Sequence, residues 1–136
     1  MITTDKLKVG DSLEPLRFKV TQELNKQILE SLDCRDKRYR EIVHPALLVG
    51  FSNITRSPSY RLEVGVAAMH THDEIEFLNE AKVGETLSVT WIVTHIYHRR
   101  NKEWKDTEYQ AVEAMIVNES NVEIIRRRIT DIFLRR

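Results

Sequence analysis

Hydrophobic and polar positions follow two different periods along this chain, and the change of period predicts its architecture. Val20, Leu24 and Ile28 recur every four residues, which predicts a helix capped by Thr21 with one buried face that continues to Leu32. After residue 65 the apolar positions recur every second residue, which is typical of strands. The chain is therefore expected to begin with helices and to end in a run of strands.

The predicted strands are separated by short turn sequences. Strands are expected at 16–20, 74–77, 87–98, 109–117 and 122–134. Turns are expected at 83–85 and 118–121, and the charged stretch 99–103 is interpreted as a hairpin connection. Trp91 lies on the apolar face of its strand, which favours a place in the core.

A short segment without charge, IVHPALLVGF at residues 42–51, separates the two halves. Proline is favoured at the first position of a helix, so His44 is predicted as the N-cap and Pro45 as the first helical residue. Residues 53–60 end this helix and form the predicted mobile loop. A helix that is apolar all round is expected to be buried all round. The fold class is therefore α+β: a single hot-dog domain over residues 1–136, with a curved antiparallel sheet wrapped around one buried central helix.

Composition narrows the classes of function. Lys plus Arg and Asp plus Glu both number 21, so no overall field points to nucleic acid or to a cationic substrate. The apolar runs are shorter than the roughly 18 residues of a membrane helix, and the first residues lack a signal-peptide core, which predicts a cytoplasmic protein. The single cysteine, Cys34, cannot form an internal disulfide and is expected to be inert.

Three stretches, in order, resemble MaoC-like (R)-specific enoyl-CoA hydratases and dehydratases. IVHPALLVG at 42–50 is similar to the IAHGMLLVG segment of that family. MHTHDEIEFLNEAKVGETLSVTWIV at 69–93 is similar to its EIEFLRPVRVGDTLTV block, and VGDSLEPLRFKVTQELNKQILESL at 9–32 to its opening segment. Together the three stretches span most of the chain.

The resemblance implies a hot-dog domain that acts on a 2-enoyl or 3-hydroxyacyl thioester. The implied partner is an acyl-CoA or an acyl carrier protein, with the pantetheine arm belonging to the substrate, so no separate cofactor is expected. Pairing with a second hot-dog chain, as a homodimer or heterodimer, is also implied, while nucleic acid and a membrane span are not.

The family's Asp and His dyad precedes the central helix, and here that segment is LDCRDKRYRE at 32–41. Asp33 matches the family's aspartate, but Arg38 stands where the histidine is expected. Pro45 replaces a glycine whose amide is a plausible donor to the thioester carbonyl, and proline has no N–H. Two alternatives follow: another amide at the helix start, that of Ala46, is the substitute, or the oxyanion site is missing.

The candidate site residues follow from these matches and from the place of His44 at the mouth of the buried helix, where a histidine can act as an acid or a base. The predicted catalytic residues are Asp33, Asp36, His44 and His72, and the predicted substrate-binding residues are Pro45, Ala46, Gly50, Asn53 and His70. A helix-capping role for His44 and a solvated surface role for the two aspartates remain open. His70 and His72 are two residues apart, so strand geometry places them on one face with Glu74, but without a third ligand no metal site is predicted.

Three functions remain open at this point. The first is a MaoC-type hydratase or dehydratase with an altered site. The second is a non-catalytic hot-dog subunit that binds the acyl chain or accompanies an active partner chain. The third is an acyl-CoA thioesterase, for which the sequence carries no distinct motif.

Overall fold

The computed structural model describes residues 2–100 and 106–135. Its two α-helices and five strands occur in the order β1 Leu16–Lys19, α1 Gln22–Ser31, α2 Pro45–Phe51, β2 Ala67–Phe77, β3 Thr86–Arg99, β4 Asp106–Asn118 and β5 Glu123–Arg135. Short 3-10 turns cover Thr4–Lys6, Lys37–Arg40 and Ile54–Arg56. Part of the predicted hairpin connection, residues 101–103, lies outside the described residues.

All five strands form one antiparallel sheet in the order β1-β3-β4-β5-β2. The predicted strands are confirmed, although β2 begins at Ala67, before the predicted start at residue 74. Leu47 and Leu48 of α2 join the same buried cluster as the apolar face of β3. The predicted α+β arrangement, a sheet around a central helix, is confirmed.

Alternation along β3 explains how the sheet attaches to α2. Leu87, Val89, Trp91 and Val93 are each at most 1% exposed, as expected for one face of a strand that covers a core. The Trp91 indole Nε1 donates to the backbone oxygen of Ser52 at 2.9 Å, just after α2 ends. The predicted core role of Trp91 is confirmed, and its N–H is satisfied.

Both predicted helix starts are confirmed. The Thr21 hydroxyl accepts from the Leu24 amide at 3.1 Å, and His44 caps α2 with Pro45 at its first position. The apolar stripe of α1 ends earlier than predicted, because Leu32 lies beyond the helix and is 45% exposed.

The helix α2 is central but is enclosed on one side only. Leu47 and Leu48 are buried against the sheet, whereas Ala46 is exposed and Gly50 is half-buried. The expectation of burial on all sides is therefore wrong for a single chain, because one five-stranded sheet covers only one flank of a helix.

The segment after α2 is tied to the N-terminal residues. The Arg61 amide donates to the Thr4 hydroxyl at 2.9 Å, and the Glu63 amide donates to Asp5 at 3.2 Å. The Ser57 hydroxyl donates to the backbone oxygen of Glu14 at 2.7 Å. These bonds hold the stretch that carries Tyr60 over the inner face of β2 and β5. No helix among the described residues combines the length and hydropathy needed to cross a membrane.

Candidate active site

The backbone amides at the start of α2 are already hydrogen-bonded to the N-cap residue of the helix. His44 Nδ1 accepts from the Ala46 amide at 3.0 Å, and the His44 backbone oxygen accepts from the Leu47 amide at 3.0 Å. Pro45 has no N–H. The Ala46 amide, predicted as the substitute carbonyl donor, is therefore already bonded. Pro45 also lines an apolar groove of about 280 Å³ beside the helix start.

We expect replacement of His44 by alanine to destabilise the fold by about 0.5–2 kcal/mol, the usual cost of losing an N-cap side chain. The reason is that the Ala46 amide loses its acceptor in the structure. Urea denaturation beside the His95→Ala variant checks this, because His95 is exposed on β3. An unchanged free energy of unfolding in His44→Ala would contradict the capping role.

Among the described residues, the two predicted catalytic aspartates form their polar contacts with neighbouring arginines and not with His44. Asp33 follows α1 with its side chain 86% exposed, 3.6 Å from Arg35. Asp36 accepts from the Arg38 amide at 3.1 Å, and its hydrogen bonds to Arg38 hold its pKa below the usual value. The cavity that Asp33 lines, beside α1, includes neither His44 nor His72.

A β-bulge at Thr71 separates the two histidines of β2. His70 pairs with Asp131 of β5, and His72 pairs with the next residue back along β5, Thr130. The extra residue in β2 shifts the alternation of side chains by one position, so the His70 side chain faces inward and the His72 side chain faces outward. The prediction that they share a face is wrong. His72 instead contacts Glu74 on the outer face at 3.2 Å, and both side chains are exposed.

His70 lies between two carboxylates on the inner face. Its Nδ1 is 3.0 Å from Asp131 Oδ1, and its Nε2 is 3.3 Å from Asp73 Oδ2. The imidazole is about half exposed, whereas the Asp131 side chain is only 12% exposed. The pair thus consists of a solvent-accessible imidazole and a largely buried carboxyl.

Arg127 of β5 fixes this arrangement to the end of α2. Its Nε donates to Asp73 Oδ1 at 2.9 Å, and its Nη2 donates to Asp73 Oδ2. Its Nη1 donates to the Val49 oxygen, the Ser52 hydroxyl and Asn53 Oδ1 at 2.8 to 2.9 Å. A cation at a helix C-terminus is favourable, and here it also satisfies a terminal carbonyl. The Arg127 side chain is only 4% exposed, and all three of its guanidinium nitrogens donate hydrogen bonds. Arg127 is therefore a buried link between β5, β2 and the end of α2.

The charge states of the three acidic or phenolic groups follow from their surroundings. The Arg127 hydrogen bonds lower the pKa of Asp73, so this carboxyl is ionised at neutral pH. Burial raises the pKa of Asp131, with the His70 hydrogen bond opposing the shift. Burial first, and the Asp131 charge second, raise the pKa of Tyr60, so its phenol keeps the proton.

The hydrogen-bond roles of the two His70 ring nitrogens depend on the tautomer of the ring. An ionised carboxylate only accepts hydrogen bonds, so the 3.3 Å contact with Asp73 is a hydrogen bond when Nε2 carries a proton. The 3.0 Å contact between Nδ1 and Asp131 is a hydrogen bond when a proton lies on the ring nitrogen or on the carboxyl. A proton at this second contact is available for transfer between the two groups.

These groups line one cavity of about 370 Å³, within the size range of small-molecule sites. Asn53 and His70, two predicted substrate-binding residues, both line it. The complete lining consists of Asn53, Ile54, Thr55, Tyr60, Ala68, Met69, His70, Asp73, Arg127, Ile129 and Asp131. Gly50 lies on the open side of α2, where an added Cβ would meet no atom within 4 Å.

The pH dependence of stability should report the burial of Asp131. Its folded-state pKa is raised above the unfolded value, so its contribution is present at low pH and is lost as pH rises through the folded pKa. Asparagine stays neutral. The stability of Asp131→Asn relative to the wild type should therefore increase between pH 4 and pH 7 in urea denaturation, and a constant difference would contradict the shift.

Sequence reasoning misses Asp73, Arg127 and Asp131, although one signal is present. In β5, Arg127 and Asp131 alternate in step with the apolar Ile125 and Ile129, and such a position is buried in a half-buried strand. A charge in the inward register indicates a buried ion pair. Across residues 2–100 and 106–135, no three His, Cys, Asp or Glu side chains come close enough to hold a metal ion.

Comparison with known proteins gives structural matches only. No family model matches the sequence, and no curated protein matches it. The MaoC-like dehydratase from Rhodospirillum rubrum is 15% identical over 100% of this chain and 99% of the other, with a TM-score of 0.64.

Two further solved structures represent other assemblies and activities. The ChsH1-ChsH2 complex from Mycobacterium tuberculosis matches at 11% identity over 95% of this chain and 98% of that one, with a TM-score of 0.68. A hypothetical thioesterase with coenzyme A from Streptococcus pneumoniae matches at 12% identity, 95% and 85% coverage and a TM-score of 0.59. At these identities the likeness concerns the fold. The hot-dog fold predicted with the MaoC-like resemblance is confirmed.

Proposed function

We propose that this chain is a hydratase or dehydratase of 2-enoyl and 3-hydroxyacyl thioesters that uses His70 and Asp131 for proton transfer. The observation that carries the proposal is the imidazole and carboxyl pair, 3.0 Å apart, that faces the 370 Å³ cavity. General acid–base catalysis needs such a pair within reach of one water molecule. The likeness to a MaoC-like dehydratase supports the choice of reaction.

The proposed reaction balances with the one proton that the pair holds. The water oxygen bonds to C3 of the enoyl thioester, and a water proton passes to the pair. The electron pair of the C2=C3 bond moves toward the thioester carbonyl, and the pair's own proton is delivered to C2. The product is a 3-hydroxyacyl thioester, the pair regains its starting state, and dehydration is the reverse.

The acyl group would be carried by coenzyme A or an acyl carrier protein, through the pantetheine arm they share. Two assays on the pure protein test the activity. Loss of the enoyl-thioester absorbance without release of free thiol is expected for hydration. Thiol release instead would indicate a thioesterase, and no change with enoyl-CoA or enoyl carrier protein of any chain length would overturn both activities.

A second candidate function is a non-catalytic hot-dog subunit, favoured by the closed start of α2. His44 occupies the Ala46 amide, and Pro45 offers none. On this alternative the chain is inert alone and copurifies with a second hot-dog chain that bears the Asp and His motif. Turnover by the isolated chain would contradict it.

Either function is compatible with pairing through β2, which we propose as the contact edge. β2 is the last strand of the sheet, and ten of its eleven residues are exposed. Unpaired edge strands readily pair with another chain. Sedimentation should give twice the 16.0 kDa of one chain for a homodimer, whereas a single 16.0 kDa species would contradict it.

A further inference from the structure

We propose that the side-chain amide of Asn53 donates a hydrogen bond to the thioester carbonyl oxygen during the reaction. The inference rests on the proposed function and deepens it, because it names the group that replaces the closed amide at the start of α2. Asn53 follows α2 at its opposite end and lines the same cavity as His70 and Asp131.

Arg127 fixes the orientation of this amide. The guanidinium has only N–H donors, so the Asn53 atom 2.8 Å from its Nη1 must be the acceptor Oδ1. The Nδ2 group, with its two N–H donors, then points away from Arg127. Within residues 2–100 and 106–135, Nδ2 donates to no protein acceptor. A neutral donor is therefore held at the exposed rim of the cavity, and none of the described residues supplies an acceptor for it.

The proposed chemistry requires a donor of this kind. As water adds to C3, the electron pair of the double bond moves to form an enolate, and negative charge accumulates on the carbonyl oxygen. A donor aimed at that oxygen stabilises the transition state more than the ground state. The ionised Asp73 repels such charge, and Arg127 already donates to Asp73, Val49 and its neighbours.

The geometry also shows why Asn53 is distinguishable from a residue that only holds the fold. Aspartate at this position keeps an oxygen for Arg127 but loses both N–H donors. Serine is neutral, and its shorter side chain does not place a donor where the Asn53 Nδ2 group lies. If Asn53 served only to anchor Arg127, the carboxylate introduced by Asn53→Asp would preserve that role.

The test compares steady-state hydration of 2-enoyl-CoA by the wild type, Asn53→Asp and Asn53→Ser. By analogy with the loss of an oxyanion donor, we expect kcat to fall about 10²–10³-fold in both variants. KM should change little, since the interaction forms mainly in the transition state. Asn121→Asp is the matched control, because Asn121 lies in the exposed turn between β4 and β5. Urea denaturation verifies that each variant is folded.

Wild-type kcat in Asn53→Asp would overturn the inference while leaving the proposed function intact. A large loss in Tyr60→Phe together with unchanged kcat in both Asn53 variants would do the same and would assign the donor to Tyr60, which lines the same cavity. No turnover by the folded wild type would overturn the proposed function, and the role of Asn53 with it.

Discussion

Replacing His70 with alanine should lower kcat for enoyl-thioester hydration by about 10²–10⁴-fold, the usual contribution of a positioned general acid or base. The ring is the partner of Asp131 that reaches solvent, with its side chain 47% exposed. Without it, the Asp131 carboxyl, whose side chain is only 12% exposed, loses the partner with which it exchanges the proton. Steady-state kinetics with the purified variant measures the loss.

Two further histidine variants sharpen this test. His95→Ala is the control, because His95 is exposed on β3 and lies outside the cavity. His72→Ala separates the two assignments, since the sequence predicts His72 as catalytic whereas the bulge turns it to the outer face. A large loss in His72→Ala with wild-type turnover in His70→Ala would restore the sequence-based assignment and contradict the proposed pair.

Replacing Arg127 with methionine should destabilise the fold by about 1.5–3 kcal/mol, the usual contribution of a hydrogen bond to a charged group, because the Asp73 side chain left behind is 28% exposed. Methionine approximates the length of the aliphatic stem but supplies no donor. Asp73 would lose both of its guanidinium bonds, and the Val49 oxygen at the end of α2 would lose its donor. Urea denaturation gives the free energy of unfolding directly.

Arg128→Met is the matched control, since Arg128 is the next residue of β5 and is exposed on the opposite face. Its stability should stay within about 0.5 kcal/mol of the wild type, as for most surface substitutions. Equal effects of the two substitutions would contradict the buried tie between β5, β2 and α2.

Local pattern is sufficient to predict the elements of this fold. The alternation from Leu87 to Val93 and the His44-Pro45 pair depend on geometry within a few residues, and both predictions are confirmed. The opposite facing of Arg127 and its neighbours is also predictable from strand period alone. These features need no knowledge of which strands are neighbours.

The candidate site depends on tertiary pairing that the sequence does not display. The bulge at Thr71 arises from the register between β2 and β5, and one extra residue reverses the facing of His72 relative to His70. Asp73 and Asp131 are 58 residues apart in sequence yet flank the same imidazole. Similarity to the family's segment before α2 points to Asp33, which does not line the cavity of His70 and Asp131.

Hydration in D2O tests whether His70 and Asp131 deliver a proton to C2 of the substrate. If His70 and Asp131 pass a solvent-derived proton to C2, the 3-hydroxyacyl-CoA formed from 2-enoyl-CoA should retain one deuterium at C2 after transfer to H2O. Mass spectrometry of the product counts that deuterium. We expect one retained deuterium with the wild type, and a rate of labelling at least about 100-fold lower in His70→Ala purified in parallel. Equal rates of labelled product from both proteins, or no product from the wild type, would contradict it.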